Sequence, residues 1–168
     1  GTADADIDAI EGWDDTNDAS SVVVAVIDTG IDYNHPDLAA NIWSNPGEIA
    51  GNGIDDDGNG LIDDIHGYDF GDDDSDPMDT YSHGTHVAGI IGAVGNNGIG
   101  VTGVAWRTKL MAVKISDSEH NLFTDSAASG ILYAVDMGAK ISNSSWGAYL
   151  PDSIVADIYD APVVYAIE

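Results

Sequence analysis

Two residues in this chain stand where acid–base chemistry is possible. Asp28 closes the run Val22-Val23-Val24-Ala25-Val26-Ile27 and precedes Thr29-Gly30, a polar turn. His83 stands just ahead of His86-Val87-Ala88-Gly89-Ile90-Ile91-Gly92-Ala93. A continuous β-branched run suits a strand buried on both faces, as in a parallel sheet. Sites in open α/β sheets form outside the carboxyl ends of strands, where Asp28 sits. A neutral imidazole can take a proton from a hydroxyl nucleophile near neutral pH. A buried carboxylate on its other ring nitrogen fixes the tautomer and stabilises the imidazolium. The plainer alternatives make Asp28 a turn-capping aspartate and His83 a neighbour of a helix N-cap. His86 reads as a packing histidine, and His35, His66 and His120 as surface residues.

A second pattern offers oxygen ligands. Asp55-Asp56-Asp57-Gly58-Asn59-Gly60-Leu61-Ile62-Asp63-Asp64 resembles an EF-hand-type loop. Asp55, Asp57, Asn59 and Asp63 fall at ligand positions one, three, five and nine, with Gly60 at the tight-turn position six. Leu61, at position seven, would ligate through its carbonyl. Position twelve is His66 and not the usual glutamate, so Asp63 or Asp64 is expected to close the shell. Hard oxygen donors point to Ca2+ and away from a histidine-ligated metal-hydrolase site. Crowded like charges cost energy unless a cation sits among them. Asp72, Asp73, Asp74 and Asp76 read as a solvated acidic loop.

The elements that must hold these residues follow from pattern. Residues 1–20 have only Ile7, Ile10 and Trp13 as apolar anchors, which suits an extended lead-in or a short helix. Residues 44–82 lack regular periodicity and form a long structured loop, the kind that carries function. His86 to Ala93 reads as a helix with a small-residue face, and Lys109 to Ile115 as a second buried strand. Asp125 to Met137 reads as an amphipathic helix with Ala128, Ile131, Leu132 and Val135 as its stripe, capped by Gly138. A third strand begins at Ala139 to Ser142. This alternation predicts right-handed crossovers and a parallel sheet. Ser153 to Asp160 is a helix followed by a strand from Pro162 to Ile167, or else Pro162 opens a helix. The chain stops at Glu168 with no cap signal and looks cut.

Composition narrows the function. The chain has 168 residues, a number that suits one domain or a large piece of one, and a net charge of −26. The four basic residues all lie between Arg107 and Lys140, too few for a phosphate-tracking face. Binding to nucleic acid or to an anionic membrane surface is therefore excluded. Hydrophobic residues make up 43% of the chain, in ordered runs, which argues against disorder. No apolar stretch reaches the ~18 residues of a membrane helix. Without cysteine there is no disulfide scaffold, thiolate site or cysteine nucleophile. The acidity has two readings, adaptation to high salt or bound calcium. Twelve of the thirty acids lie between Glu48 and Asp79, which favours calcium for that stretch.

Three segments now stand together: Val26-Ile27-Asp28-Thr29-Gly30-Ile31-Asp32, His83-Gly84-Thr85-His86-Val87-Ala88-Gly89 and Asn143-Ser144-Ser145-Trp146-Gly147. With His35-Pro36-Asp37-Leu38, their order and spacing resemble the subtilisin-like serine proteases, from about Ile7 to the end. The resemblance implies an α/β, three-layer fold with a mainly parallel sheet flanked by helices, truncated before the serine-bearing part. Residues 1–168 would be the N-terminal portion of one peptidase domain, with a calcium-binding insertion at about 45–79. Asp28 would be the triad aspartate and His83 the triad histidine. The family's Gly-Thr-Ser-Met-Ala nucleophile motif and Ala-Gly-Asn oxyanion segment do not occur here. Ser82, Ser126, Ser129 and Ser142 lack the nucleophile's context. The expectation is a serine endopeptidase whose N-terminal portion, by itself, is inactive. The alternative is an inactive calcium-binding module with a peptide-binding edge.

The resemblance also places a substrate strand at Ser145, Trp146 and Gly147, where a peptide would pair in antiparallel fashion. Trp146 walls a pocket or sits in the core. The opposite strand falls at His120 to Leu122, with bulkier residues than the family's glycines, and Ser116 replaces a larger apolar pocket residue. A second calcium site is implied at Asp37 and Asn97, with carbonyls of Gly95, Ile99 and Val101 and an acid such as Asp4 or Asp6. Expected partners are polypeptide substrates and the chain's own C-terminal portion or a second copy, since exposed strand edges invite pairing. The expected location is extracellular.

Overall fold

A computed structural model describes residues 7–147. The elements expected after Ser153, and Asp4 and Asp6, lie outside the described residues. The acidic lead-in resolves into a short helix, α1 (Ala9–Asp15). Trp13 anchors it: its Nε1 donates to the Val104 carbonyl at 2.8 Å. Its ring meets Trp106 edge-on, with centroids 5.2 Å apart.

The β-branched run forms the inner half of a longer strand, β1 (Asp18–Asp28), whose outer half is polar and partly exposed. Three more strands join it: β2 (Gly67–Asp69), β3 (Arg107–Lys114) and β4 (Ile141–Asn143). The sheet order is β2-β3-β1-β4, and every pairing is parallel. β2 falls inside the stretch that pattern reads as loop, because three residues are too few to show a period. Gly67 permits it. With φ at +125°, a Cβ there would stand 1.7 Å from the Ala112 carbonyl oxygen. Among the described residues β4 stands at an edge of the sheet, and Ile141 on it is 55% exposed.

Alternation along the strands sorts side chains onto two faces. Val26, Leu110 and Ala112 face α2 (His83–Gly92), together with Ile31, Leu38 and Ala88. Ala25, Ile27, Met111 and Val113 face α3 (Thr124–Asp136), together with Ala127, Tyr133 and Ala134. The result is a three-layer α/β/α arrangement. Gly84, Ala88 and Gly92 recur every four residues on the buried side of α2, so that helix lies close on the sheet. Register then aligns the strand ends. Asp28 lies opposite Lys114, and Lys114 opposite Asp69. The Lys114 Nζ reaches Asp69 Oδ2 at 2.5 Å and Asp72 at 3.8 Å, pairing a cation that is 6% exposed.

Candidate active site and acidic loop

The end of β1 and the start of α2 bring Asp28 and His83 together. His83 Nδ1 lies 2.6 Å from Asp28 Oδ1. Asp28 is 1% exposed and His83 is 45% exposed. Asp28 Oδ1 also accepts the Thr29 N–H at 2.8 Å. Its Oδ2 is buried and takes no hydrogen bond among the described residues. This close approach requires a glycine after the histidine. A Cβ at Gly84 would lie 2.1 Å from the Gly30 carbonyl oxygen and 3.1 Å from Asp28 Cβ.

A cleft of about 280 Å3 opens beside the pair. Asp28, Thr29 and His83 line it, together with Tyr81, His120, Leu122, Ser145, Trp146 and Gly147. Trp146 Nε1 donates to the Ile27 carbonyl at 2.8 Å, and its ring packs on the core, so it is both core residue and cleft wall. The Ser145 hydroxyl accepts from Asn143 Nδ2 at 2.7 Å. Leu122 pairs with Ser116 in an antiparallel bridge, and the Tyr81 ring meets His120 at a tilt of 45° with centroids 5.0 Å apart. Ser116 is wholly buried and its hydroxyl has no partner among the described residues.

The other histidines divide differently from the sequence expectation. His86 is exposed on α2, bordering an apolar groove of about 620 Å3, and does not pack in the core. The buried stripe of α2 is carried by Gly84, Ala88 and Gly92, which His86 does not share. His66 is half-buried, its Nδ1 3.2 Å from the Trp43 carbonyl oxygen and its ring against Tyr33. His35 Nδ1 accepts the Asp37 N–H at 3.2 Å. His120 is exposed.

In the acidic loop, carboxylate oxygens of Glu48, Asp55 and Asp57 lie within 4.8 Å of one another. Spacing pointed to Asp55 and Asp57; Glu48 precedes the repeat, and no spacing rule reaches it. Each carboxylate is held by its own backbone. Asp55 accepts N–H groups from Gly58, Asn59 and Gly60, and Glu48 from Asp56, Asp57 and Asp63. Asn59 turns its amide to Asp57 and Asp64, while its oxygen accepts the Leu61 N–H at 2.7 Å. Leu61 packs its side chain on the core. Asp63 is turned away, toward the N–H groups of Gly51, Asn52 and Gly53. Asp64 is fully buried and accepts from Tyr133 Oη at 2.6 Å, Asn45 and Asn59. Burial pushes its carboxyl up from the usual value, against those hydrogen bonds.

Of the second expected ligand set, Asp37 meets the Asn97 amide and the Val101 N–H. Asp37 is 2% exposed and accepts Asn97 Nδ2 at 2.7 Å and the Val101 N–H at 2.9 Å. Those hydrogen bonds hold its carboxyl below the usual value. Asn97 Oδ1 accepts the Ile99 N–H, and the Gly95 N–H donates to the Trp106 carbonyl at 3.4 Å.

The model of the subtilase family matches residues 19–164. The chain belongs to the subtilase family. Over 132 residues it is 45% identical to subtilisin-like protease 1 of Plasmodium berghei (strain Anka), a match covering 78% of this chain and 22% of that protein. It is 41% identical over 135 residues to the thermophilic serine proteinase of Bacillus sp. (strain AK1), covering 80% and 28% respectively. Among solved structures, the S41 psychrophilic protease superposes with a TM-score of 0.63 at 29% identity, over 87% of this chain and 43% of that one. The chain thus spans between a fifth and a third of these two curated relatives.

One subtilase residue beside the cleft escaped the motif reading. Asp79 accepts five hydrogen bonds around the start of α2. Its signal was available: an acid four residues before His83, where a helix N-terminus favours negative charge.

Proposed function

We propose that this chain supplies the acid–base half of a secreted, calcium-stabilised serine endopeptidase of the subtilisin type. The observation that carries the reading is the 2.6 Å contact between a buried Asp28 and a cleft-lining His83. Asp28 holds Nδ1, which leaves Nε2 to take the proton of a serine hydroxyl as it attacks a peptide carbonyl. His83 then returns that proton to the leaving amine, and water completes the cycle by hydrolysing the acyl-enzyme. The serine and the oxyanion donor are assigned to the full-length protein, since no motif for either occurs in the 168 residues. By itself, this chain is inactive on this reading. Ser145 to Gly147 and His120 to Leu122 flank the cleft as two edges between which an extended peptide is held by main-chain hydrogen bonds.

Calcium suits the donors present. Glu48, Asp55 and Asp57 supply three hard carboxylates, with the Asp37 and Asn97 group as a second set. A bound ion would offset part of the loop's negative charge and stabilise the native chain. Extracellular calcium modules work at about 10⁻⁴–10⁻³ M calcium, so a calcium-stabilised chain suits a place outside the cell.

A fluorophosphonate probe, applied to medium and cell pellet of a culture producing the full-length protein, tests the reading. Wild type should be labelled in the medium, and Asp28→Asn and His83→Ala should lose labelling by orders of magnitude. Absence of wild-type labelling would favour the other reading, a calcium-binding module without catalysis, for which the acidic cluster speaks.

A further inference from the structure

One carboxylate touches the supports of both members of the Asp28–His83 pair. Asp79 Oδ1 accepts the Thr29 hydroxyl at 3.0 Å and the N–H groups of Tyr81 and Ser82 at 2.9 Å each. Its Oδ2 accepts the Thr85 N–H at 2.9 Å and the Thr85 hydroxyl at 2.6 Å. We propose that Asp79 is a positioning residue for the pair, acting through Thr29 and Thr85. This rests on the reading of Asp28 and His83 as the acid–base half of a serine-protease site.

The argument is one of donor direction. An ionised carboxylate only accepts hydrogen bonds, so both threonine hydroxyls must point their protons at Asp79. Their lone pairs are then free for backbone donors on the opposite element. Thr29 Oγ1 accepts the Gly84 N–H at 3.0 Å, and Thr85 Oγ1 accepts the Asp32 N–H at 2.9 Å. Thr29 follows Asp28, and Gly84 follows His83. The strand end and the helix start are therefore stitched by two relays of N–H, hydroxyl and carboxylate that end on the same side chain.

A simple helix cap would not need this reach. The first N–H groups of a helix lack intrahelical partners, and Thr85 N satisfies that need on Asp79 alone. The Thr29 contact, by contrast, comes from fifty residues away and serves the residue beside Asp28. Burial opposes ionisation of Asp79. The bonds from Thr85, Tyr81 and Ser82 outweigh it and hold the carboxyl below the usual range. The group therefore stays an acceptor through the neutral range.

The test uses the full-length protease and the variants Asp79→Asn, Thr85→Val and Asp28→Asn. kcat and KM are measured per titrated active site, and the low-field proton of the His83–Asp28 hydrogen bond is followed by NMR. Asp79→Asn places an amide donor on at least one of the two relays. It should lower kcat about tenfold to a hundredfold with KM little changed, and should shift or broaden the low-field resonance. Thr85→Val removes one relay and keeps the side-chain shape, and should lower kcat about threefold to tenfold. If both variants only melt earlier, with kcat per active site and the resonance unchanged, Asp79 is a cap and the proposal falls. Should Asp79→Asn fail to fold, Thr85→Val decides by the same two readouts. Full activity in Asp28→Asn would instead overturn the reading of the pair, and this proposal with it. Loss of activity in Asp28→Asn with wild-type behaviour of the other two would overturn the Asp79 role alone.

Discussion

At the scale of single residues, the site is built from carboxylates that differ in what surrounds them. Asp28 is buried against an imidazole and one backbone N–H, Asp69 against an ammonium and two backbone N–H groups, and Asp79 meets five hydrogen-bond donors. Around Asp79 the donors outweigh burial and depress the carboxyl, whereas at Asp69 burial wins and raises it. The consequence for stability has a definite sign. A depressed folded-state pKa adds stability above the unfolded value, and that stability disappears as pH falls through the folded value. The melting-temperature gap between wild type and Asp79→Asn should therefore be full above the unfolded aspartate value of about 4 and shrink as pH falls below it. Thermal melts across that range check it, and a gap independent of pH would contradict it. The dyad residues were legible in sequence because each closes or opens an element. The acid ahead of α2 was visible in sequence, but the tie from Asp79 to Asp28 was not, because its partners Thr29 and Thr85 come together only in three dimensions.

At the scale of elements, α2 approaches the sheet because it presents glycine and alanine. Gly84 is the point of closest contact, where an added Cβ would run into both the Gly30 backbone and the Asp28 side chain. Gly84→Ala should destabilise the full-length protein by about 1–3 kcal/mol, the range for overpacking. It should also lower kcat, because His83 begins the displaced helix. Urea unfolding and turnover, measured together, check both. Normal turnover with normal stability would mean that α2 can slide outward freely. The small-residue spacing of α2 and the β-branched run of β1 announced themselves in sequence. β2 did not: its pairing depends on Gly67 meeting Ala112, a contact between segments forty-five residues apart.

At the scale of the whole molecule, a net charge of −26 must be tolerated by the fold. Two mechanisms compete in the acidic loop. Backbone N–H groups already satisfy many carboxylate oxygens of Glu48, Asp55 and Asp63. A bound cation would remove the remaining repulsion. An ion that binds only the native state stabilises it by about 2.7 kcal/mol at a hundred times its Kd. Removing calcium with a chelator at fixed ionic strength should therefore lower Tm, and re-adding Ca2+, not Na+, should restore it. An unchanged melt would mean that the N–H bonds suffice. The sequence by itself determined the family, the α/β class, the candidate pair Asp28 and His83 and the acid-rich stretch, because each is written in contiguous residues or regular spacing. Only the tertiary structure decided which acids converge: Glu48 with Asp55 and Asp57, Asp63 toward its own turn, Asp64 into the core. Spacing states which atoms are near along the chain. The direction of a carboxylate is set by whichever donors the packed fold brings within hydrogen-bond reach.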